Sequence, residues 1–332
     1  MRKLLTFLIA LGAVAFAVVS PASAQGFNGG GFNVGLGPFA AATYVGPGDI
    51  TFNGSAANVK EFWSCARAVN AAHASTATSL CDLVQSPSGA SPGTAVGTLR
   101  ATTTGFVDLS AYFAGSVTPA AACAAITGGC SVSNAYGQIG GIGNATNAAN
   151  ATQPLLVFSG LGGLPVMNCT AANCILATTG SFTQAQPFVM AAVYIRNPTA
   201  TTTGQIVGGG TSTTALDSNT TGTASRFYCI ATGGGAFVTA TDVIWHGAIA
   251  LFNGTTTSFL NVDGVNSSSL SCGTGGLSAE AIRLFRGPAG VNQMDGSIAE
   301  AMIVGGTAIT TSDFTNWFNN ANSAANGYNG GL

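Results

Sequence analysis

The chain has 332 residues, of which 6% are charged, against about 25% in an ordinary globular protein. Lys and Arg number 9 against 11 Asp and Glu, a formal net charge of −2, which excludes the basic surface that nucleic-acid binding requires. Apolar residues make up 47% of the chain, so the low charge does not signal disorder, and the polar surface must come from Thr, Ser, Asn, Gln and Gly.

Residues 1–24 predict a secretory signal peptide. Met1-Arg2-Lys3 makes a basic start, an apolar run follows to Val19, Pro21 breaks it, and Ala22-Ser23-Ala24 supplies a cleavage site. Cleavage is expected after Ala24, giving a secreted, extracytoplasmic protein. The run is short for a bilayer span of ~20 residues, and no later stretch reads as an anchor. Residues 25–45 are glycine-rich and carry Phe27, Phe32 and Phe39. They read as an extended arm or edge strand available for self-association.

Residues 46–332 read as one domain. The segment 61–74 predicts a helix with Phe62, Ala66, Val69 and Ala72 near one face and Trp63 beside them. Short helices are expected over 110–114 and over 118–126, where Pro119 stands at a tolerated first position. Beyond Pro154 the pattern changes to strands, at 155–158, 187–195, 226–230, 243–245, 248–252, 257–262, 282–285 and 297–304. Asn253-Gly254, Asp263-Gly264, Gly275-Gly276 and Asp295-Gly296 punctuate them as turns. A closing helix over 313–325 has Ser312 or Asp313 to cap it and Trp317 and Phe318 to dock it. Many short strands between such turns argue for an all-β antiparallel sandwich with a few short peripheral helices.

Eight cysteines follow the leader: Cys65, Cys81, Cys123, Cys130, Cys169, Cys174, Cys229 and Cys272. An even set in an exported chain favours disulfides, and their order suggests the local pairs 65–81, 123–130, 169–174 and 229–272. Spacing alone leaves 105 pairings open for eight cysteines, on the order of a hundred. Only His73 and His246 are present and there is no Cys-x-x-Cys, so no zinc is expected. No cluster of acids at calcium spacing and no phosphate-binding glycine pattern appears, so neither metal nor cofactor is expected.

Two resemblances add to this. Trp245-His246-Gly247, Asn253-Gly254, Leu260-Asn261-Val262-Asp263-Gly264 and Asp295-Gly296-Ser297-Ile298-Ala299-Glu300 resemble, in order, the signature of laminin-G-like domains over roughly 155–330. Gly46-Pro47-Gly48-Asp49-Ile50, Ser64-Cys65-Ala66-Arg67-Ala68 and the segment from Tyr136 to Asn144 resemble "GPCDI", "STRAL" and "YDQSGNGN" of the catalytic module of fungal α-L-arabinofuranosidase B, with Gly137 in place of the Asp. Both resemblances imply a concanavalin A-like jelly roll. The second also implies two catalytic carboxylates. The matching stretches here, Gln205 to Thr211 and Leu284 to Asn292, contain no acid. No catalytic residue is therefore assigned.

The remaining acids have structural readings: Asp263 and Asp295 as turn residues, Glu300 paired with Arg283 or Arg286, Asp49 pinned by Arg67, and Asp313 as a helix cap. His246, in a strand with no acid beside it, reads as packing, and His73 as a cation near a helix end. Together these residues point to non-catalytic recognition of a glycan, or of a neighbouring protein surface, with Tyr136, Gln138, Asn144 and Asn292 as candidate ligand-binding residues. A divergent glycoside hydrolase with relocated carboxylates and a structural surface, filament or adhesion subunit are the alternatives.

Overall fold

The computed structural model describes residues 43–332 apart from 51, 53–57, 87–92, 112, 114, 116, 171–172, 198–202, 222–223, 233, 242–243, 288–292 and 307–308. The expected leader, nearly all of the arm and Asn292 lie outside the described residues. The chain divides into one unit of Met1–Ala41 and another of Ala42–Leu332, and the second holds every element described below.

Its strands in chain order are β1 (Val59–Ser64), β2 (Ser79–Gln85), β3 (Ala95–Arg100), β4 (Cys130–Ala135), β5 (Ala145–Thr146), β6 (Leu155–Val157), β7 (Val166–Cys169), β8 (Leu176–Thr178), β9 (Phe182–Gln184) and β10 (Phe188–Arg196). There follow β11 (Gly204–Gly209), β12 (Ala215–Thr221), β13 (Ala224–Ala231), β14 (Gly234–Thr241), β15 (His246–Phe252), β16 (Phe259–Val262), β17 (Val265–Asn266), β18 (Leu277–Glu280), β19 (Ile282–Leu284) and β20 (Gly296–Gly305). The described α-helices are α1 (Pro119–Ala124) and α2 (Thr311–Asn322). Every described strand pairing is antiparallel, and the all-β sandwich expected from the sequence is the fold observed.

The front layer pairs in the order β3–β2–β4–β5–β8–β19–β11–β12–β13–β14, and the back layer in the order β1–β20–β10–β15–β16–β17. Strands β6 and β7 link β4 to β20. The main core lies between the layers and joins Leu83, Leu99, Leu216 and Phe227 of the front to Phe188, Met190, Tyr194 and Ile303 of the back. A second core lies behind the back layer, where Val189, Ala191 and Val193 meet Phe314 and Trp317 of α2. Both faces of β10 are therefore buried, and its sequence is a continuous apolar run because alternation is unnecessary there.

The same arrangement corrects the helix expected over 61–74. Phe62 packs in the second core and Trp63 in the first, so β1 is a strand with apolar side chains on both faces. A short 3-10 turn, Ala71–His73, is all the helix that segment contains. Of the 110–114 segment the described residues, 110, 111 and 113, are not helical either: Phe113 bridges Val117. Ile244 and Trp245 precede β15 rather than forming a strand of their own. Helix α1 follows Pro119 as expected, with Thr118 as its cap. Helix α2 is capped slightly earlier than expected. Thr310 accepts from the Asp313 amide at 3.4 Å, and Asp313 accepts from the Thr310 amide at 2.7 Å, a reciprocal box. All four disulfides join the pairs suggested by order: Cys65–Cys81, Cys123–Cys130, Cys169–Cys174 and Cys229–Cys272.

One buried ion pair joins distant parts of the chain. Arg67 grips Glu300 of β20 with two bonds, Nε to Oε2 at 2.7 Å and Nη2 to Oε1 at 2.9 Å. Its Nη1 donates to Asn320 Oδ1 of α2 at 2.8 Å and to the Asn326 carbonyl. Tyr328 donates to Glu300 at 3.0 Å and lies under the guanidinium. Glu300 thus pairs with Arg67, not with Arg283 or Arg286. Asp49 is held by the amides of Gly46 and Ala71, not by Arg67. Glu300→Leu strands the Arg67 charge in the interior and should cost about 3–5 kcal/mol of unfolding free energy in urea melts. The double variant Arg67→Met/Glu300→Leu should recover most of that, and equal losses in both variants would contradict the assignment.

Candidate functional site

In an antiparallel ladder, directly paired residues share a face. Leu83, Leu99, Val132, Leu176, Leu284, Val207, Leu216 and Cys229 point into the main core. Their neighbours therefore lie on the opposite, outward face of the front layer, where Gln205, Gly208, Ala215 and Asp217 are themselves covered and buried. One row runs Thr98–Asp82–Asn134–Thr146–Ala177–Arg283–Gly208–Ala215, and a second runs Gln205–Asp217–Tyr228–Phe237. The face carries hydroxyls, amides, aromatic rings and few charges.

At its first end Asp82 gathers three donors: Thr98 Oγ1 at 2.6 Å, Tyr136 Oη at 2.8 Å and Asn134 Nδ2 at 3.0 Å. Burial, and then the Asp82 carboxylate, raise the Tyr136 hydroxyl above its ordinary range. At the other end Tyr228 and Phe237 form a tilted pair with centroids 5.3 Å apart, and Phe237 is 45% exposed.

Three of the residues singled out from the sequence, Tyr136, Gln138 and Asn144, belong to one loop, and that loop wraps a carboxylate. Glu61 is fully buried and accepts from the amides of Ile139 (2.7 Å), Gly143 (2.9 Å), Ile142 (3.1 Å) and Gly140 (3.2 Å). Gly140 and Gly143 adopt positive φ to aim those amides inward. Gln138 is buried, donates to the Arg67 carbonyl at 3.2 Å and accepts from the Val69 amide at 2.7 Å, so both ends of its amide serve the interior. Asn144 accepts from the Gly137 amide, which closes the loop. Of the three, Tyr136 stands with the outward row; Asn292 lies outside the described residues. The sequence reading missed Asn134, Arg283, Tyr228 and Phe237. The signal available was cross-strand alternation in β4, β13, β14 and β19.

The stretches that resemble catalytic segments meet here. Val207 pairs with Leu284 and Gly208 with Arg283, and Arg283 Nη1 donates to the Gly287 carbonyl at 3.1 Å. Beside them Glu280 accepts from Ser212 Oγ (2.6 Å), the Ser212 amide (2.7 Å), the Thr211 amide (2.9 Å), Thr211 Oγ1 (3.0 Å) and the Ser278 amide (3.2 Å). Burial alone would raise this carboxyl, but the bonds from Ser212, Thr211 and Ser278 outweigh it and hold Glu280 below the usual carboxylate range. Asp217 is the opposite case. It is 1% exposed, its Oδ1 has no partner, and burial pushes it up to about 7, opposed in part by Arg196. Asp217 faces the Gln205 end of β11 and Glu280 the Gly209 end, four residues or roughly 13 Å apart along the backbone. Retaining and inverting glycosidases need about 5–5.5 Å and about 6.5–9.5 Å.

His246 has an acid beside it after all: Asp263 Oδ2 lies 2.7 Å from its Nδ1, and Asp263 Oδ1 accepts from the Gly247 amide at 3.0 Å. Among the described residues no three His, Cys, Asp or Glu side chains gather as metal ligands. No described helix is long and apolar enough to cross a membrane.

No protein-family model matches the chain, nor does any curated protein sequence. Solved structures do resemble it. An arabinofuranosidase complexed with arabinofuranosyl-α-1,2-xylobiose is similar at TM-score 0.55 and 14% identity. A variant of a GH54 α-L-arabinofuranosidase soaked with 4-nitrophenyl α-L-arabinofuranoside is similar at 0.55 and 15%. In both cases the match covers 82% of this chain and 64% of the other, so this chain spans less than two thirds of their length. At these identities the likeness is one of fold.

Asp217 sets a pH dependence. Its folded pKa lies above its unfolded one, so its favourable contribution is complete below about pH 4 and is lost as pH rises through about 7. Asp217→Asn should therefore gain on the wild type by a few kcal/mol between pH 4 and pH 8 in urea melts, at about 1.4 kcal/mol for each pH unit that separates the folded and unfolded pKa. A difference that does not change with pH would overturn the buried, protonated state.

Proposed function

We propose that this chain is an exported, non-catalytic carbohydrate-binding protein, built on a concanavalin A-like sandwich of laminin-G-like type, that holds a glycan on the outward face of the front layer. In this reading residues 1–24 are a cleaved leader, 25–45 an arm and 46–332 the binding domain. The observation that carries it is the Tyr228–Phe237 platform, with Phe237 45% exposed, on a face that also carries the hydroxyls and amides of Thr98, Asn134 and Thr146 beside Asp82 and Arg283. Apolar faces of sugar rings stack on aromatic rings while hydroxyls bond Asn, Thr and Tyr, and a nearly uncharged surface suits a neutral ligand. The four disulfides support an extracellular site of action. Tyr136 and Asn134 are the polar contacts assigned to the other end of the face.

The raised Asp217 favours one second reading, a hydrolase with relocated carboxylates, because a general acid needs a pKa near its working pH. Against it, Glu280, the other carboxylate flanking β11, is bonded on both oxygens by the Thr211–Ser212 turn.

Affinity electrophoresis in arabinoxylan, arabinan and neutral β-glucans tests both readings. The expected outcome is retardation in at least one, loss of affinity of about tenfold in Tyr228→Ala/Phe237→Ala, and no release of reducing sugar. Unchanged retardation in the double variant would sink the outward face, and turnover abolished by Asp217→Asn would move the protein to the second reading.

A further inference from the structure

The edge of a β-sheet is a row of unpaired N–H and C=O groups, and natural proteins blunt it with charge, proline, bulges, shortness or a cover. Three of the four described strands that end the two layers are treated in this way. Strand β3 carries Arg100, and its register against β2 is broken twice. Strand β1 opens with a register break against β20, carries Lys60 and Glu61, and has the loop 139–143 bonded to Glu61. Strand β17 is two residues long.

Strand β14 has none of these devices. Its eight residues, Gly234 to Thr241, include neither a charge nor a proline. It pairs with β13 residue for residue from Gly234 to Thr241 without a bulge, and no described strand pairs with its other side. Gly235, Phe237 and Thr239 are exposed on the outward face, while Ala236 and Val238 pack toward the main core. Phe237 is thus a large ring left in solvent at the middle of an open, regular edge.

Symmetry and charge select the occupant. Two strands that meet antiparallel about a two-fold axis normal to the sheet keep their outward faces on one side, and a residue on the axis meets its own copy. An axis at Phe237 overlaps residues 234–240 in full. Phe237 then stands across from Phe237 of the second copy, Gly235 across from Thr239, and Ala236 across from Val238. An aromatic pair occupies the centre, and no like charges are opposed.

We infer that β14 pairs in this register with β14 of a second copy of this chain, joining two front layers into one continuous sheet. The Tyr228–Phe237 pair and its copy then form a row of rings on four adjacent strands, spanning three strand spacings or roughly 14 Å. The pairing itself is independent of the glycan reading; the longer platform rests on it. An edge-to-edge contact of this length is small against the roughly 1,200 Å² of a stable interface, so the dimer is reversible, with a dissociation constant in the micromolar range. A polymeric glycan that engages both copies would favour it further.

Sedimentation velocity of the full chain without glycan, from about 1 μM to about 300 μM, should show a reversible monomer–dimer equilibrium. Phe237→Lys sets two ammonium groups against each other on the axis and should weaken it about tenfold or more. All eight cysteines are in disulfides, so one added thiol reports the register. Phe237→Cys, about 5 Å from its counterpart, should oxidise to a covalent dimer, whereas Thr239→Cys, four residues or roughly 13 Å from its own, should not. A chain that stays monomeric throughout overturns the inference. So does a dimer that Phe237→Lys leaves intact, or a Thr239→Cys chain that cross-links as readily as Phe237→Cys. The two cysteine variants decide the register even where Phe237→Lys lowers the melting temperature.

Discussion

The pairing of Arg67 with Glu300 is the contact on which the back of the molecule depends. Glu300 lies in β20, which pairs with β1, β7 and β10, and Arg67 follows β1. The same guanidinium reaches α2 through Asn320 and the C-terminal segment through Asn326, and Gln138 caps the Arg67 carbonyl. One cation therefore joins the back layer, the helix that covers it and the loop around Glu61. A lysine would be a poor substitute, because the two-pronged grip on the carboxylate and the third contact to Asn320 need a planar fork of donors.

Few charges are available, and the interior uses several of them. Glu61, Glu280, Glu300, Asp217 and Asp313 are all buried. Four of these five organise polypeptide. Glu61 and Glu280 each gather the amides of a loop, Asp313 closes the cap of α2, and Glu300 holds Arg67. A carboxylate with several inward N–H donors is stable where an unpaired one is not. On the outward face Asp82 and Arg283 stand among hydroxyls and amides.

The back half of the fold was largely legible from sequence. Long β-branched runs such as β10 and β20, and glycine turns such as Asp263-Gly264, with φ of 54° and 80°, announce themselves. The front half was harder to read. Strand β1 buries both faces, so Phe62, Ala66 and Val69 imitated a helical stripe. Strands β2, β3 and β4 interleave polar Asp82, Thr98, Ser133 and Asn134 with their apolar residues, and tertiary pairing and the Cys65–Cys81 bridge hold them. The cysteine order predicted all four bridges because each closes a local loop. The candidate site was legible only at Tyr136. Gln138 and Asn144 drew notice as part of a polar segment, but the polarity of that segment serves Glu61. Tyr228 and Phe237 stayed hidden because their shared face is a matter of register, which no single strand reveals.

The glycine run of β11 shows why the arabinofuranosidase-like fold need not bring its chemistry along. A Cβ on Gly208 would meet the Ala215 side chain at 2.6 Å, one on Gly209 would run into the Glu280 carboxylate and Ser212, and one on Gly210 would lie 3.0 Å from Arg283 Nε. The space that side chains of this stretch would occupy is already filled from β12, β18 and β19. The glycines, the caged Glu280 and the Arg283 side chain beside Gly210 are thus one structural state. Restoring a carboxylate at Gly209 would require moving Glu280, and moving Glu280 would release the Thr211–Ser212 turn that it holds. At Gly208, Gly209 and Gly210 a new side chain is thus blocked by neighbours from β12, β18 and β19, which is the physical reason this stretch is glycine.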